Sequence, residues 1–182
     1  MIDTSENSEL KDIDFIEIKP SELNENAIKL IGSDWMLITA GDMKHYNTMT
    51  ANWGSMGYLW HKPVIFIFIR PQRYTYEFVE QNDYFTCSFF EEKYRDILSF
   101  CGTYSGRDCD KSDETGITPI RTNNSIGFKQ ASIIIECRKI YIQDLQPSGF
   151  IDPIIKSHYP DNDYHRMYIG EITSVKVKSE SK

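Results

Sequence analysis

The sequence predicts a mainly β fold, a closed or split antiparallel barrel with a few inserted helices. Three observations carry this. Aromatics make up 13% of the 182 residues, with eleven Tyr and ten Phe, and such side chains suit a pleated, half-buried surface. Short apolar runs rich in Ile, Val and Phe are separated by turn residues. Helical periodicity is confined to a few short stretches.

In chain order, residues 1–14 are polar and acidic without periodicity, and read as an arm. Residues 35–40 form a short apolar run ended by Gly41-Asp42, a strand and turn. Residues 47–54 read as an interrupted strand. Residues 64–69, behind Pro63, are a continuous Val/Ile/Phe run of strand length, so a buried strand. Thr75 is the expected N-cap of a helix over 76–81, with Glu77 in its first turn. Residues 84–90 read as a strand. Tyr94, Ile97, Leu98 and Cys101 at helical spacing predict a helix over 91–100, ended by Gly102. A further short helix is expected to begin near Ser105 or Asp108. Residues 131–142 and 167–177 predict long strands that pair antiparallel. Between them, residues 146–163 hold Pro147, Gly149, Pro153 and Pro160, and read as a loop. The domain is expected over 15–178, with a polar tail at 179–182.

Twenty Lys and Arg against twenty-seven Asp and Glu give a net charge of −7. That balance argues against nucleic acid and anionic membrane as partners, because phosphate contact needs a basic surplus. No apolar run is long enough to span a bilayer. The acidic start carries no signal-peptide pattern, so the expected location is cytoplasmic. Cys87, Cys101, Cys109 and Cys137 show neither CxxC spacing nor the density of a disulfide framework, and are read as reduced thiols. No nucleophile elbow, Walker A or GxGxxG pattern is present. No metal is expected, since no His/Cys/carboxylate cluster has ligand spacing.

Four segments could carry binding chemistry. Arg70, Arg73, Tyr74 and Thr75 join a buried strand to a helix start, where free N–H groups and two guanidiniums could take a phosphate or carboxylate. A solvated turn with the arginines paired to Glu77 or Glu80 is the competing reading. Asn47, Thr48, Met49, Thr50, Ala51, Asn52 and Trp53 could present backbone N–H groups, a hydroxyl and one large ring to a planar polar ligand; a bulged strand with a core Trp competes. In the stretch from Ser105 to Lys111, a buried-facing Lys111 could stabilise an anion, or it pairs with Asp110 or Asp113 on the surface. His165 opens the last strand, as a site residue or as an ordinary hydrogen-bonded histidine.

Taken together and in order, these segments resemble the flavin reductase-like family, the FMN-binding split barrels that include flavoredoxins. The matching pieces run from Asn47–Trp53 through Lys62-Pro63-Val64, Arg70 to Glu77, Ser99 to Gly102, Ser105 to Lys111 and Thr115-Gly116 to Ile169–Ile172. The resemblance implies a Greek-key split barrel that dimerises with FMN near the interface. On this chain Arg70, Arg73 and Thr75 would take the phosphate. Residues 47–53 would line the ring and ribityl, mostly through backbone, with Asn47, Thr50 and Trp53 contributing side chains. Lys111 and His165 would stand near the flavin, and Ser105 would help close the pocket. Residues 146–163 look like an insertion. A covering segment that follows the last strand in some relatives is missing, which implies a more open site.

The activity implied is hydride transfer from NADH or NADPH to flavin, with no acid–base side chain required. Lys111 and backbone N–H groups would stabilise charge on the reduced ring. A flavoredoxin-like electron carrier served by a protein redox partner is the first alternative, and a non-catalytic binding module the second.

Overall fold

The structure is a computed structural model that describes residues 15–179. The expected arm at 1–14, and the tail beyond residue 179, lie outside the described residues. The strands are β1 (Phe15–Ile18), β2 (Met36–Gly41), β3 (Tyr46–Ala51), β4 (Gly54–Leu59), β5 (Lys62–Ile69), β6 (Tyr84–Phe89), β7 (Pro119–Arg121), β8 (Ile126–Phe128), β9 (Ile133–Asp144) and β10 (Arg166–Lys178). The helices are α1 (Ala27–Lys29), α2 (Tyr74–Gln81), α3 (Arg95–Thr103) and α4 (Lys111–Thr115). No helix among the described residues is long and apolar enough to cross a membrane.

The main sheet is antiparallel, in the order β3-β2-β6-β9-β10-β5-β4, with β1 added alongside β10. Strands β3 and β4 sit at opposite ends of that order. Yet only Asn52 and Trp53 separate them in the chain. From Ala51 to Gly54 the chain makes three Cα steps and reaches at most about 11 Å, so the sheet must curl until its ends come together. No ladder joins β3 to β4. The result is a barrel with an open seam, the split antiparallel barrel the sequence predicts, and the seam lies at Asn52-Trp53.

The long strands β9 and β10 pair antiparallel over most of their length, with bulges at Ile169/Gly170 and Ile172/Ser174. Gly170 is required there, because a Cβ would lie 2.6 Å from the Phe85 ring. Strand β2 is buried at every position because both its faces are covered. Met36, Ile38 and Ala40 join Ile65, Ile67, Phe85 and Tyr168 inside the barrel, where Phe78 and Val79 of α2 also pack. Leu37 faces outward against Leu98 and Cys101 of α3 and Phe128 of β8.

Several local expectations are corrected. Arg73, not Thr75, is the N-cap of α2, and it makes no side-chain cap; the Thr75 hydroxyl instead accepts from Asn47. Residues 92–94 form a 3-10 turn before α3, and Gly102 lies inside that helix, where a missing Cβ lets it approach Thr50. The next helix begins at Lys111 rather than near Ser105 or Asp108, because the Asp110 carboxylate accepts from the Ser112 and Asp113 amides. The interrupted strand is two strands, β3 and β4. Strands β1, β7 and β8 are additional, and residues 146–163 contain 3-10 turns at Pro147–Gly149 and Pro153–His158. The four cysteines are unlinked, and burial raises the thiols of Cys87, Cys101 and Cys137.

The β4–β5 hairpin pairs Leu59 with Lys62, leaving Trp60 and His61 as its loop. Both have positive φ, 52° and 58°, a geometry that favours Asn-Gly. W60N/H61G is expected to stabilise the chain by about 1 kcal/mol, read as a raised urea midpoint at unchanged slope.

Candidate functional site: a cleft at the barrel seam

Where the seam opens, β3, the β3–β4 link, the end of β5, α3 and the start of β10 surround a cleft of about 390 Å3. Its walls carry Met49, Thr50, Ala51, Asn52 and Trp53 on one side, with Arg70, Arg73, Gly102 and His165 across from them. A narrower cleft of about 180 Å3 continues from it, sharing Met49, Gln72 and Arg73. The narrow end adds Asn47, Tyr74, Thr75, Ser105, Gly106 and Lys111. The structure gathers the expected residues other than Thr48 along the trough of these two clefts, but two hydroxyls are spent elsewhere: that of Thr50 donates to the Leu98 carbonyl. The Thr48 hydroxyl turns inward to Thr39 (2.8 Å) and the Ile38 carbonyl, so Thr48 offers the site only backbone.

Charge is unevenly distributed along the trough. At the narrow end, Lys111 is 6% exposed. Its Nζ donates to the carbonyls of Thr48 (2.7 Å) and Cys101 (2.9 Å). It pairs with neither Asp110 nor Asp113, and forms no ion pair among the described residues. Burial brings its pKa down to about 8, so it remains largely cationic at neutral pH. An ammonium has three N–H donors; two are spent on carbonyls. Arg73 likewise forms no ion pair among the described residues and donates to the Gly102 carbonyl at 2.9 Å. Burial, and then Arg70, lower its pKa. Between these cations α2 begins without a side-chain cap; the Tyr76 amide donates to the Arg73 carbonyl at 2.9 Å, which leaves the amides of Tyr74 and Thr75 as the ones a ligand could take. Two uncompensated cations at a helix N-terminus are groups that could hold an anion.

Asn47 donates to Thr75 at 2.7 Å and orders this end; both are buried. Ser105 accepts from the Arg107 amide. Arg107 takes Glu77 and lies over the Tyr74 ring at 4.6 Å, and Glu80 goes to Arg166 and Tyr168. Neither carboxylate is therefore free for Arg70 or Arg73.

Arg70 is not a partner of Arg73 in that anion site. It is bound by Asp163 (2.7 Å) and the His158 carbonyl (2.7 Å), and lies 5.3 Å from the centre of the Tyr159 ring. All three come from residues 146–163. Gln72 donates to the same Asp163 oxygen. The His158 ring meets Trp53 edge-on at 5.4 Å, and His165 lies 5.0 Å from Trp53. The insertion packs behind Arg70 and against Trp53, while the lining of the wide cleft comes from residues outside 146–163. His165 accepts or donates at Nδ1 with the Tyr159 hydroxyl, 2.8 Å away. Burial, then Arg70, bring its pKa down to about 4, so it is neutral at pH 7.

Sequence reasoning missed Gln72, Gly106 and the insertion residues His158, Tyr159 and Asp163. Gly106 had a signal in its Ser-Gly-Arg-Asp turn. The insertion residues had none, since their partners lie about ninety positions away or more. A Cβ on Gly106 would lie 1.9 Å from Asn47 Oδ1. Gly106→Ala is expected to lower stability by about 1–3 kcal/mol through overpacking, while Gly149→Ala, with open space around it, serves as a control near zero; urea unfolding reads both.

A family model described as "Flavin reductase like domain" matches residues 29–182. No curated protein matches the chain. Among solved structures it is similar to flavoredoxin of Desulfovibrio vulgaris, with 24% identity and TM-score 0.63, covering 80% of this chain and 69% of that one. It is similar to an FMN-binding domain of a flavin reductase-like enzyme from Shewanella baltica, with 17% identity and TM-score 0.67, covering 92% and 78%. It is also similar to an NADH:FAD oxidoreductase of Streptomyces globisporus, with 14% identity and TM-score 0.61, covering 79% and 75%. With its seam, its order of strands and this family match over most of its length, the chain belongs to the flavin reductase-like domain family.

Proposed function

We propose that the trough holds FMN and that the protein is an NAD(P)H-dependent flavin reductase. The supporting observation is the polarity of the site: a narrow cationic end built on Arg73, Lys111 and the start of α2, opening into a broad end walled by Met49–Trp53. The residues fit the group. A dianionic phosphate would meet two cations with no acidic partner among the described residues, and the amides of Tyr74 and Thr75 at the start of α2. Gly106 lets its turn close onto the Asn47 side chain, which a Cβ would displace, and so helps shape this end. A flat ring would lie along β3 and the Asn52-Trp53 link, against backbone groups and Trp53.

A bound flavin supplies the chemistry itself, accepting a hydride from a nicotinamide and passing electrons on. The chain's residues bind and orient. Arg73 and Lys111 anchor the phosphate. Lys111 stands at the narrow end, so its charge serves the phosphate rather than the reduced ring, which differs from its expected role. His165, neutral at pH 7, adds no cation beside the ring. Trp53, flanked by His158 and His165, limits water at the seam.

The second reading is an electron carrier that keeps FMN as a fixed group and is served by a protein redox partner. The likeness to a flavoredoxin favours it. Anaerobic NADH or NADPH added to the FMN-loaded protein separates the two. Rapid bleaching of the flavin band supports the reductase, and indifference to both supports the carrier. We propose further that the protein acts in the cytoplasm as a homodimer. Exposed Tyr58, Trp60, Tyr141 and Ile142 give a second copy an apolar face to cover, and light scattering at twice the chain mass is the expected result.

Arg73→Gln and Lys111→Met are each expected to weaken FMN by about ten- to a hundredfold, the loss of a charged hydrogen bond. Arg70→Gln is expected to change it by less than about threefold, because Asp163 already compensates that charge. FMN affinity should also fall as pH rises through about 8, where Lys111 loses its proton. Lys111→Met removes that dependence, and riboflavin shows none. Flavin fluorescence quenching measures all of these, and equal losses for Arg70→Gln and Arg73→Gln would refute the charge assignment.

A further inference from the structure

The insertion reaches the cleft through His165. Tyr159 is 5% exposed. Its ring stacks on Phe150, with centroids 5.8 Å apart and planes 8° from parallel, and the Arg70 guanidinium lies 5.3 Å from its centre. Asp163 and the His158 carbonyl hold Arg70 in turn. The phenol therefore has little freedom, and its hydroxyl ends 2.8 Å from His165 Nδ1. His165 lines the wide cleft and touches Trp53. With Nδ1 taken, its Nε2 has no hydrogen-bond partner among the described residues.

A neutral imidazole has one N–H and one lone pair, and the bond at one nitrogen decides which is which. A phenol O–H donating to an imidazole lone pair is the stronger of the two possible arrangements. Nδ1 then accepts, and Nε2 carries the hydrogen. We propose that Tyr159 is a positioning residue: it holds His165 in the Nε2–H tautomer and turns that N–H toward the wide end of the cleft. The site thereby gains one neutral donor for a carbonyl oxygen or ring nitrogen of the flat ring bound there. This rests on the flavin reading for the identity of the ring, but the tautomer itself does not.

The experiment uses the full chain with 15N-labelled histidine, free of flavin, at pH 7. Long-range proton–nitrogen correlation spectra resolve the four histidines, and His165→Gln identifies the His165 signals. Wild type is expected to show one protonated-type and one lone-pair-type nitrogen at His165, with Nε2 protonated. Tyr159→Phe removes only the hydroxyl and keeps the ring stack; both His165 nitrogens are expected to move to averaged shifts. In FMN titrations, Tyr159→Phe should weaken binding about fivefold, the loss of one neutral hydrogen bond. In a His165→Gln background, whose amide N–H needs no tautomer, the same change should cost nothing. An unaltered tautomer in Tyr159→Phe, or Nδ1 protonated in wild type, overturns the proposal. If the tautomer shifts as expected while wild type takes up no FMN, the positioning role stands and the flavin reading falls.

Discussion

Two residues close this barrel. Because only Asn52 and Trp53 lie between strands at opposite ends of the sheet order, the sheet cannot remain open, and no ladder seals its ends. The gap that remains is where backbone of β3 faces outward, where Trp53 stands, and where the ends of β5, α3 and β10 converge. The cleft is thus a consequence of chain connectivity before it is a consequence of any particular side chain. Side chains then give it a direction. Lys111 and Arg73 charge one end; Trp53, Phe68 and the neutral His165 finish the other.

That direction depends on a division between two arginines that look equivalent in sequence. Arg73 caps α2 with its backbone and spends its guanidinium on a carbonyl. Arg70, three residues earlier, is claimed by a carboxylate ninety-three positions downstream. A cation satisfied by a carboxylate contributes little field at the cleft; one satisfied only by carbonyls keeps its charge. The Arg-Pro-Gln-Arg turn therefore serves two purposes, one electrostatic and one structural.

Much of the fold was legible because buried strands have no polar face to disguise them. The run in β5 and the Ile-rich β9 announce themselves, and β2 does so because α3 and β8 cover its outer side. Strand β4 was hidden, being an edge of two glycines and alternating exposure. The start of α2 was misplaced because its cap is an arginine without a capping oxygen, while Thr75 next to it looks like a cap and is committed to Asn47. For the site, the segments were readable but their grouping was not. The burial of Lys111 follows from Asp110 capping a helix against the barrel, and local spacing left its ion pair with Asp110 or Asp113 open. The attachment of the insertion rests on contacts between distant residues, about which periodicity is silent.

Asp163 has a further property. Arg70 and Gln72 both bind its Oδ2, while Oδ1 is buried with no hydrogen-bond partner among the described residues. An unpaired buried oxygen is costly, so the seat of the insertion on the barrel is incomplete. Such a segment detaches at a fraction of the free energy that opens the strands beneath it. Its amides are expected to exchange with solvent before those of β9 and β10, so the backing of Arg70 is the part of the molecule that loosens first.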